Sequence, residues 1–89
     1  MIVRFDKSFI KALNKIKDKT VLKRIESVIE KAEKADALEQ ISNTKKLIGS
    51  SVYYRIKIGD YRIGLEQINS NEIILITILH RKDIYKKFP

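Results

Sequence analysis

The spacing of apolar residues changes once along the chain. Over residues 7–34 they recur at intervals of three and four, which predicts two amphipathic helices with a break at the polar stretch 17–19. From residue 52 onward apolar and polar residues alternate, which predicts β-strands. Residues 36–51 keep no sustained period and are predicted to connect the two halves, with a short strand at 45–48.

Short polar side chains mark where the helices begin. Asp6 follows a predicted strand at residues 2–5 and can cap the first helix, whereas Asp18 or Thr20 can cap the second. Because the link between the helices is very short, we expect an antiparallel helical hairpin.

Three strands are predicted in the second half. Gly59–Asp60 is a two-residue turn whose leading glycine suits a type II′ hairpin. A turn at 69–71 leads into the β-branched stretch 72–80, a predicted central strand, and the tail 81–89 is predicted to form one helical turn. We therefore expect one α+β domain over residues 1–89, a small antiparallel sheet with two N-terminal helices packed on one face, in the order β-α-α-β-β-β.

Strand alternation collects basic side chains on one face of the predicted hairpin. Across a two-residue turn, Lys57 lies directly opposite Arg62. In the same register Arg55 lies opposite Gly64, which would leave open space beside Arg55. Like charges facing each other destabilise a sheet, so a bound anion is the better explanation of this arrangement.

A fourth cation joins this face if the next turn keeps the simplest register. If residue 68 faces residue 73, then Arg62 faces residue 79, and Arg81 lies two residues further along on the same side. Arginine forks match phosphate oxygens well, so the cluster predicts a phosphate site. The alternative is an ordinary polar face in which Glu66, the nearest acid on it, pairs with an arginine.

Two further side chains have both a functional and a structural interpretation. Tyr85 follows Arg81 by four residues and could stack on a base or orient a phosphate, or simply pack on the end of the sheet. His80, the only histidine, is predicted on the core side, and we favour a structural role over general acid–base work.

Composition narrows the class of partner. The 89 residues carry 19 Lys and Arg against 11 Asp and Glu, a net charge of +8 that favours a polyanionic partner. There is no cysteine, zinc-ligand spacing, Walker motif or nucleophile elbow, so we expect no metal and no cofactor. Without a signal-peptide pattern or a membrane-length apolar run, we expect a cytoplasmic protein with no membrane partner.

The segments KLIGSSVYYRIKIGDYRIGLEQI and ILHRKDIYKKFP resemble the RelE/ParE superfamily of toxins from bacterial and archaeal toxin–antitoxin systems. The opening VRFDKSFIKALNKI resembles the first strand and helix of the family, so the resemblance covers essentially the whole chain. It implies a small antiparallel sheet flanked by two N-terminal helices. On the RelE branch it also implies metal-independent cleavage of mRNA, typically in the ribosomal A site.

The resemblance also implies roles for the basic residues. Lys57 would accept the proton of a ribose 2′-OH that attacks the adjacent phosphate, if crowding by its neighbours favours its neutral form. Arg55 and Arg62 would bind phosphate, Arg81 would stabilise the leaving oxygen, and Tyr85 would hold the nucleotide. Position 55 carries arginine where the best-known members have lysine, so a base role there is not expected.

His80 and Glu66 remain accessory candidates for that site. A gyrase inhibitor of the ParE branch and a degenerate toxin that only binds its antitoxin are the alternative functions. In each case the expected partner is a small antitoxin whose acidic residues neutralise the basic face. The RelE interpretation adds mRNA, on the ribosome, as a partner, and operator DNA would be reached only through the antitoxin.

Overall fold

The computed structural model describes residues 1–89 and contains five strands, three α-helices and one 3₁₀ turn. The strands are β1 (Ile2–Phe5), β2 (Thr44–Lys46), β3 (Tyr53–Ile58), β4 (Tyr61–Asn69) and β5 (Glu72–His80). The helices are α1 (Lys7–Lys15), α2 (Lys19–Lys34) and the short C-terminal α3 (Ile84–Lys87), with the 3₁₀ turn at Leu38–Gln40.

All five strands form one sheet in the order β1-β5-β4-β3-β2. The predicted α+β class is confirmed, with one difference in strand direction: β1 runs parallel to β5, whereas the other neighbours are antiparallel. A parallel pair needs a long crossover, and here the connection is the helical hairpin followed by the rest of the sheet. The sheet is therefore mixed rather than purely antiparallel.

Side chains at the helix starts explain where the helices begin. The Asp6 carboxylate accepts a hydrogen bond from the Ser8 backbone N–H at 3.0 Å and another from the Ser8 hydroxyl. These bonds, the hydroxyl bond foremost, hold the pKa of the Asp6 carboxyl below its usual range. Of the two caps considered for α2, Asp18 is the one used, since its carboxylate accepts from Thr20 and Val21.

Two layers cover the sheet. Helices α1 and α2 pack on one face, where the main core collects Phe9, Ile25, Ala32, Ala35, Leu38, Ile41, Ile56, Ile58, Ile63, Leu65, Ile73, Leu75 and Ile78. On the other face, α3 and the chain end bury a smaller cluster of Leu47, Ile84 and Phe88 against Tyr53, Ile76 and Leu79. The basic side chains predicted to share a site lie on this second face or at its margin.

A β-bulge in β5 decides which residues reach each face. Gly64 pairs with Thr77, but Leu65 pairs with Leu75, so Ile76 is an extra residue. Its carbonyl accepts a hydrogen bond from the Ser8 hydroxyl, which ties α1 to the sheet. A second irregularity makes Ile68 an extra residue in β4, because Gln67 pairs with Ile73 and Asn69 pairs with Glu72. The predicted pairing of residues 68 and 73 is therefore wrong.

Candidate functional site

The end of the β3–β4 hairpin carries the basic residues that alternation brought together. Lys57 pairs with Arg62, and Arg62 pairs with Leu79 on β5, both as predicted. Gly59 has φ +55°, the left-handed value that the first turn position of a type II′ hairpin requires. The tight turn thus fixes the spacing between two cations on neighbouring strands.

Arg81 continues this register beyond the end of β5. Its backbone N–H donates to the carbonyl of Asp60 at 2.8 Å, and its Nε lies 3.9 Å from the Asp60 carboxylate. Both side chains are mostly exposed, so water screens this ion pair strongly. The structure therefore brings Arg81 to the same hairpin end as Lys57 and Arg62.

The Arg62 guanidinium is held close to the turn. Its Nη1 donates to the carbonyls of Gly59 at 2.8 Å and Tyr61 at 2.9 Å. Because a guanidinium has five N–H donors, Nη2 and Nε keep donors for a ligand. These two backbone bonds fix the position of the charge without neutralising it.

Arg55 is placed differently from the sequence-based expectation. It faces Gly64 as predicted, but the space over Gly64 is filled by the Phe88 ring, so the expected open space is absent. The Nη1 of Arg55 instead donates to the carbonyl of Asn43 at 2.8 Å, and its Nε is buried with no partner. Arg55 thus points toward the β2 edge.

No carboxylate forms an ion pair with Arg55, Lys57 or Arg62. Glu66 pairs across the sheet with Tyr53 and Ile74, and it lies within 4 Å of no arginine or lysine nitrogen. The ion pairs of the chain are Arg4–Glu72, far from the hairpin end, and Arg81–Asp60. Pairing with Glu66 therefore does not account for the positive charge of Arg55, Lys57 and Arg62.

Tyr85 lies on α3, away from the hairpin turn. Its exposed side chain lines a groove with the 47–52 loop, Tyr53, Phe88 and Pro89. Tyr53 begins β3 whereas Lys57 is near its end, so roughly 13 Å of strand separates them. The structure places Tyr85 in this separate groove and shows no contact between it and the basic hairpin end.

His80 lies on the helix side of the sheet, as predicted. It pairs with Tyr61 and meets that ring edge-on, with centroids 6.1 Å apart. Its Nδ1 accepts a hydrogen bond from the Lys82 backbone N–H at 3.2 Å. Only Nε2 is left to exchange a proton with a ligand.

Arg24 on α2 is a further exposed basic residue, and it belongs to none of the predicted site residues. In the fold its Nη1 lies 3.1 Å from where a Cβ on Gly59 would sit, so it borders the hairpin turn. No local pattern could have revealed this, because the approach depends on how α2 crosses the sheet. No group of three or more His, Cys, Asp or Glu is placed to hold a metal ion.

Comparison with known proteins gives consistent matches over the whole chain. The profile of the family described as ParE toxin of type II toxin-antitoxin system, parDE, matches residues 3–85. Toxin RelE3 of Methanocaldococcus jannaschii is 41% identical over 90 residues, and the match covers 100% of both chains.

Solved structures match the fold as well. A chain of the RelB-RelE antitoxin-toxin complex from Methanococcus jannaschii matches with a TM-score of 0.78 and 39% identity, covering 97% of this chain and 99% of that one. A chain of the archaeal RelE-RelB complex from Pyrococcus horikoshii OT3 matches with a TM-score of 0.71 and 23% identity, covering 90% and 93%.

A five-stranded mixed sheet, a helical hairpin on one face and a basic hairpin end thus define a small toxin fold of the RelE type. The chain belongs to the RelE/ParE superfamily of toxins of type II toxin–antitoxin systems. None of its helices has the length and apolar character needed to cross a membrane.

Proposed function

We propose that this toxin is an endoribonuclease that cleaves mRNA on the ribosome without a metal ion. The observation that carries the proposal is the grouping of Lys57, Arg62 and Arg81 at one end of the sheet, with only the exposed Asp60 carboxylate nearby. Such a surface holds a phosphate and stabilises added negative charge on it. The name of the relative Toxin RelE3 is consistent with this branch of the superfamily.

The proposed reaction is attack of a ribose 2′-OH on the adjacent phosphate. The 2′-oxygen bonds to phosphorus, its proton passes to the Lys57 amine as general base, and the bond from phosphorus to the 5′-oxygen breaks. The free donors of Arg62 bind the phosphate oxygens, with Arg55 as a second phosphate ligand. The 5′-oxygen takes up a proton from solvent water as it leaves, and the products are a 2′,3′-cyclic phosphate and a 5′-hydroxyl.

The remaining candidates support the leaving group and the nucleotide. Arg81 stabilises charge on the 5′-oxygen once a phosphate competes with the exposed Asp60 for its guanidinium. Tyr85 holds a nucleotide that extends along α3, by stacking on its exposed ring. His80 through Nε2, and Glu66, remain accessory candidates.

We further propose a small antitoxin as the protein partner, because related RelE chains occur in complexes with RelB antitoxins. A net charge of +8 favours an acidic partner segment. The groove beside Tyr85, with Ile48 92% exposed and Val52 at its rim, offers the apolar contacts that a protein partner needs. Operator DNA would be reached through the antitoxin, in the cytoplasm where mRNA is translated.

Inhibition of DNA gyrase is the second candidate function. It is favoured by one observation, namely that the matching family profile is the ParE toxin profile. A gyrase inhibitor needs no proton-transfer residues, so its activity would depend on surface contacts rather than on Lys57 or Arg81.

Expression in cells separates these functions. We would induce the wild type and the double variant Arg62→Ala, Arg81→Ala, follow growth, and map RNA 5′ ends. We expect the wild type to arrest growth and to create new ends inside translated codons. We expect the double variant to do neither, because it lacks the guanidinium that binds the phosphate and the one that stabilises the leaving oxygen.

A charge-matched control is available on α2. The double variant Lys19→Ala, Lys23→Ala also removes two exposed cations, and it should cleave like the wild type. Growth arrest with intact mRNA and altered DNA supercoiling would refute the nuclease proposal in favour of gyrase inhibition. Absence of growth arrest with the wild type would indicate that the basic cluster serves only to bind the antitoxin.

A further inference from the structure

A groove on the helical side of the hairpin end continues the basic surface. We call it the α2 groove; it lies between α2 and the β2–β3 edge and has a volume of about 550 Å³. Its lining residues are Arg24, Ser27, Val28, Lys31, Asn43, Lys57, Ile58 and Gly59. Lys57 therefore belongs both to this groove and to the basic hairpin end.

The cations of the α2 groove are not neutralised. Arg24, Lys31 and Lys57 each lie more than 4 Å from every carboxylate oxygen, since the ion pairs of the chain involve other residues. No carboxylate lines the α2 groove, and Asp18 and Asp60 line an adjoining groove that also contains Arg24. Three exposed cations in one concave surface attract a polyanion.

The shape of the positive surface is set by a close approach at the turn. The Arg24 Nη1 lies beside Gly59 on one side, while Arg62 Nη1 donates to the Gly59 carbonyl. Two guanidiniums, one from a helix and one from a strand, thus meet at a single turn residue. Arg24 and Lys31 are two helical turns apart, roughly 10 Å along α2.

The lining chemistry favours a nucleic acid over a protein in this groove. Only Val28 and Ile58 are apolar, and no aromatic residue is present to anchor a protein partner. By contrast, the groove beside Tyr85 has six hydrophobic residues among its ten. Cations with few apolar neighbours are typical of surfaces that follow a sugar–phosphate backbone.

We propose that the α2 groove binds the backbone phosphates of the RNA strand next to the cleavage site, with Arg24 and Lys31 as phosphate ligands. The inference rests on the proposed nuclease function and extends its substrate surface. RNA held at Lys57 continues toward Lys31 instead of ending at the hairpin turn. Recognition in this groove is independent of base sequence, because phosphate contacts carry no sequence information directly.

Binding of uncleavable RNA tests the groove. The probes are single-stranded RNAs of about twelve and about three nucleotides, with 2′-O-methyl groups on every ribose to block attack, titrated by fluorescence anisotropy over a range of salt concentrations. The variant is Arg24→Gln, Lys31→Gln, and the control is Lys19→Gln, Lys23→Gln, which removes two exposed cations from the same helix outside the groove. Circular dichroism confirms folding, and cleavage of unmodified mRNA on ribosomes by the wild type is assayed separately.

We expect the groove variant to bind the long probe about tenfold more weakly at low salt, with a log–log salt slope roughly 1 unit smaller. The short probe and the control variant should behave as in the wild type. Equal loss in the control and the groove variant would overturn the proposal, as would equal competition by poly-L-glutamate, which indicates an acidic protein segment. Failure of the wild type to cleave mRNA on ribosomes would refute the nuclease function itself, a result distinct from either outcome.

Discussion

The Phe88 ring packs directly over Gly64 and leaves no room for a side chain there. A Cβ at this position would lie 2.9 Å from three carbons of the Phe88 ring, closer than side chains pack. Phe88 is buried with Leu47 and Ile84, and its ring also meets Tyr53 edge-on at 5.5 Å. Because Gly64 has no side chain, the Phe88 ring has room to pack on the sheet, and this contact attaches the chain end to it.

We expect Gly64→Ala to destabilise the fold by about 1–3 kcal/mol, because the added methyl forces the Phe88 ring out of its site. Urea unfolding of this variant, of Phe88→Ala and of the double variant measures the coupling between the positions. The alanine at 64 should cost much less once the ring is gone. Strictly additive effects of the two substitutions would show that the ring does not press on position 64.

Side chains that cap a helix affect the stability of that element. Through the Asp6 cap, the stability of α1 depends on pH. The hydrogen bonds from Ser8 lower the pKa of Asp6 relative to its ordinary 3.8, so the ionised form favours the folded state. This stabilisation is present above the ordinary pKa and is lost as pH falls through the lowered one. The hydrogen bond from Arg4 lowers the pKa of Glu72 in the same sense.

We expect Asp6→Asn to flatten the fall in stability as the pH drops below 3.8, the ordinary pKa of the carboxyl, since asparagine can still cap the helix but does not titrate. Thermal unfolding across that range measures the slope. The control is Glu39→Gln, an exposed carboxylate in the 3₁₀ turn that forms no ion pair. A slope unchanged in the Asp6 variant would contradict the assignment.

The helices and the β3–β4 hairpin could be predicted because each has a local signal in the sequence. Helical spacing, the Asp6 and Asp18 caps and the Gly59 turn predicted the helices and the β3–β4 register correctly. The bulge at Ile76 has no such signal, since no glycine or proline marks it within the apolar stretch 73–79. The register between the extra residues Ile68 and Ile76 was therefore mispredicted, whereas Arg62 still faces Leu79 because the two shifts offset each other.

Long-range contacts set the limit of prediction for the candidate site. Alternation alone placed Lys57 opposite Arg62, but it could not show that Phe88, 24 positions after Gly64 in the chain, would cover the space beside Arg55. The approach of Arg24 to the turn depends in the same way on the packing of a helix against a distant strand. Tyr85 was grouped with Arg81 by sequence proximity, whereas the fold gives it a separate groove.

At the scale of the whole molecule, one main core links both helices to the four strands β1, β3, β4 and β5. Ile63 has 0% exposure in β4, the strand between β3 and β5. A cavity in this position weakens contacts to both layers at once. Since small domains unfold as one cooperative unit, the loss should be global rather than local.

We expect Ile63→Ala to lower the free energy of unfolding by about 2–5 kcal/mol, a large share of the stability of a small domain. Ile68→Ala in the same strand is the matched control, because that side chain is 48% exposed and should cost less than about 1 kcal/mol. Chemical denaturation followed by circular dichroism measures both. Similar losses at the two positions would contradict the placement of the core.

The parallel pairing of β1 with β5 joins the first strand of the chain to the last. Ile2 pairs with Glu72 and Phe5 with Leu75, so β1 has no partner until nearly the whole polypeptide has been synthesised. Arg81 follows immediately after β5, so the last cation of the hairpin end emerges from the ribosome at the same late stage. A nascent toxin therefore cannot assemble its basic surface until its synthesis is nearly complete. The chain is thus finished before the toxin is able to act.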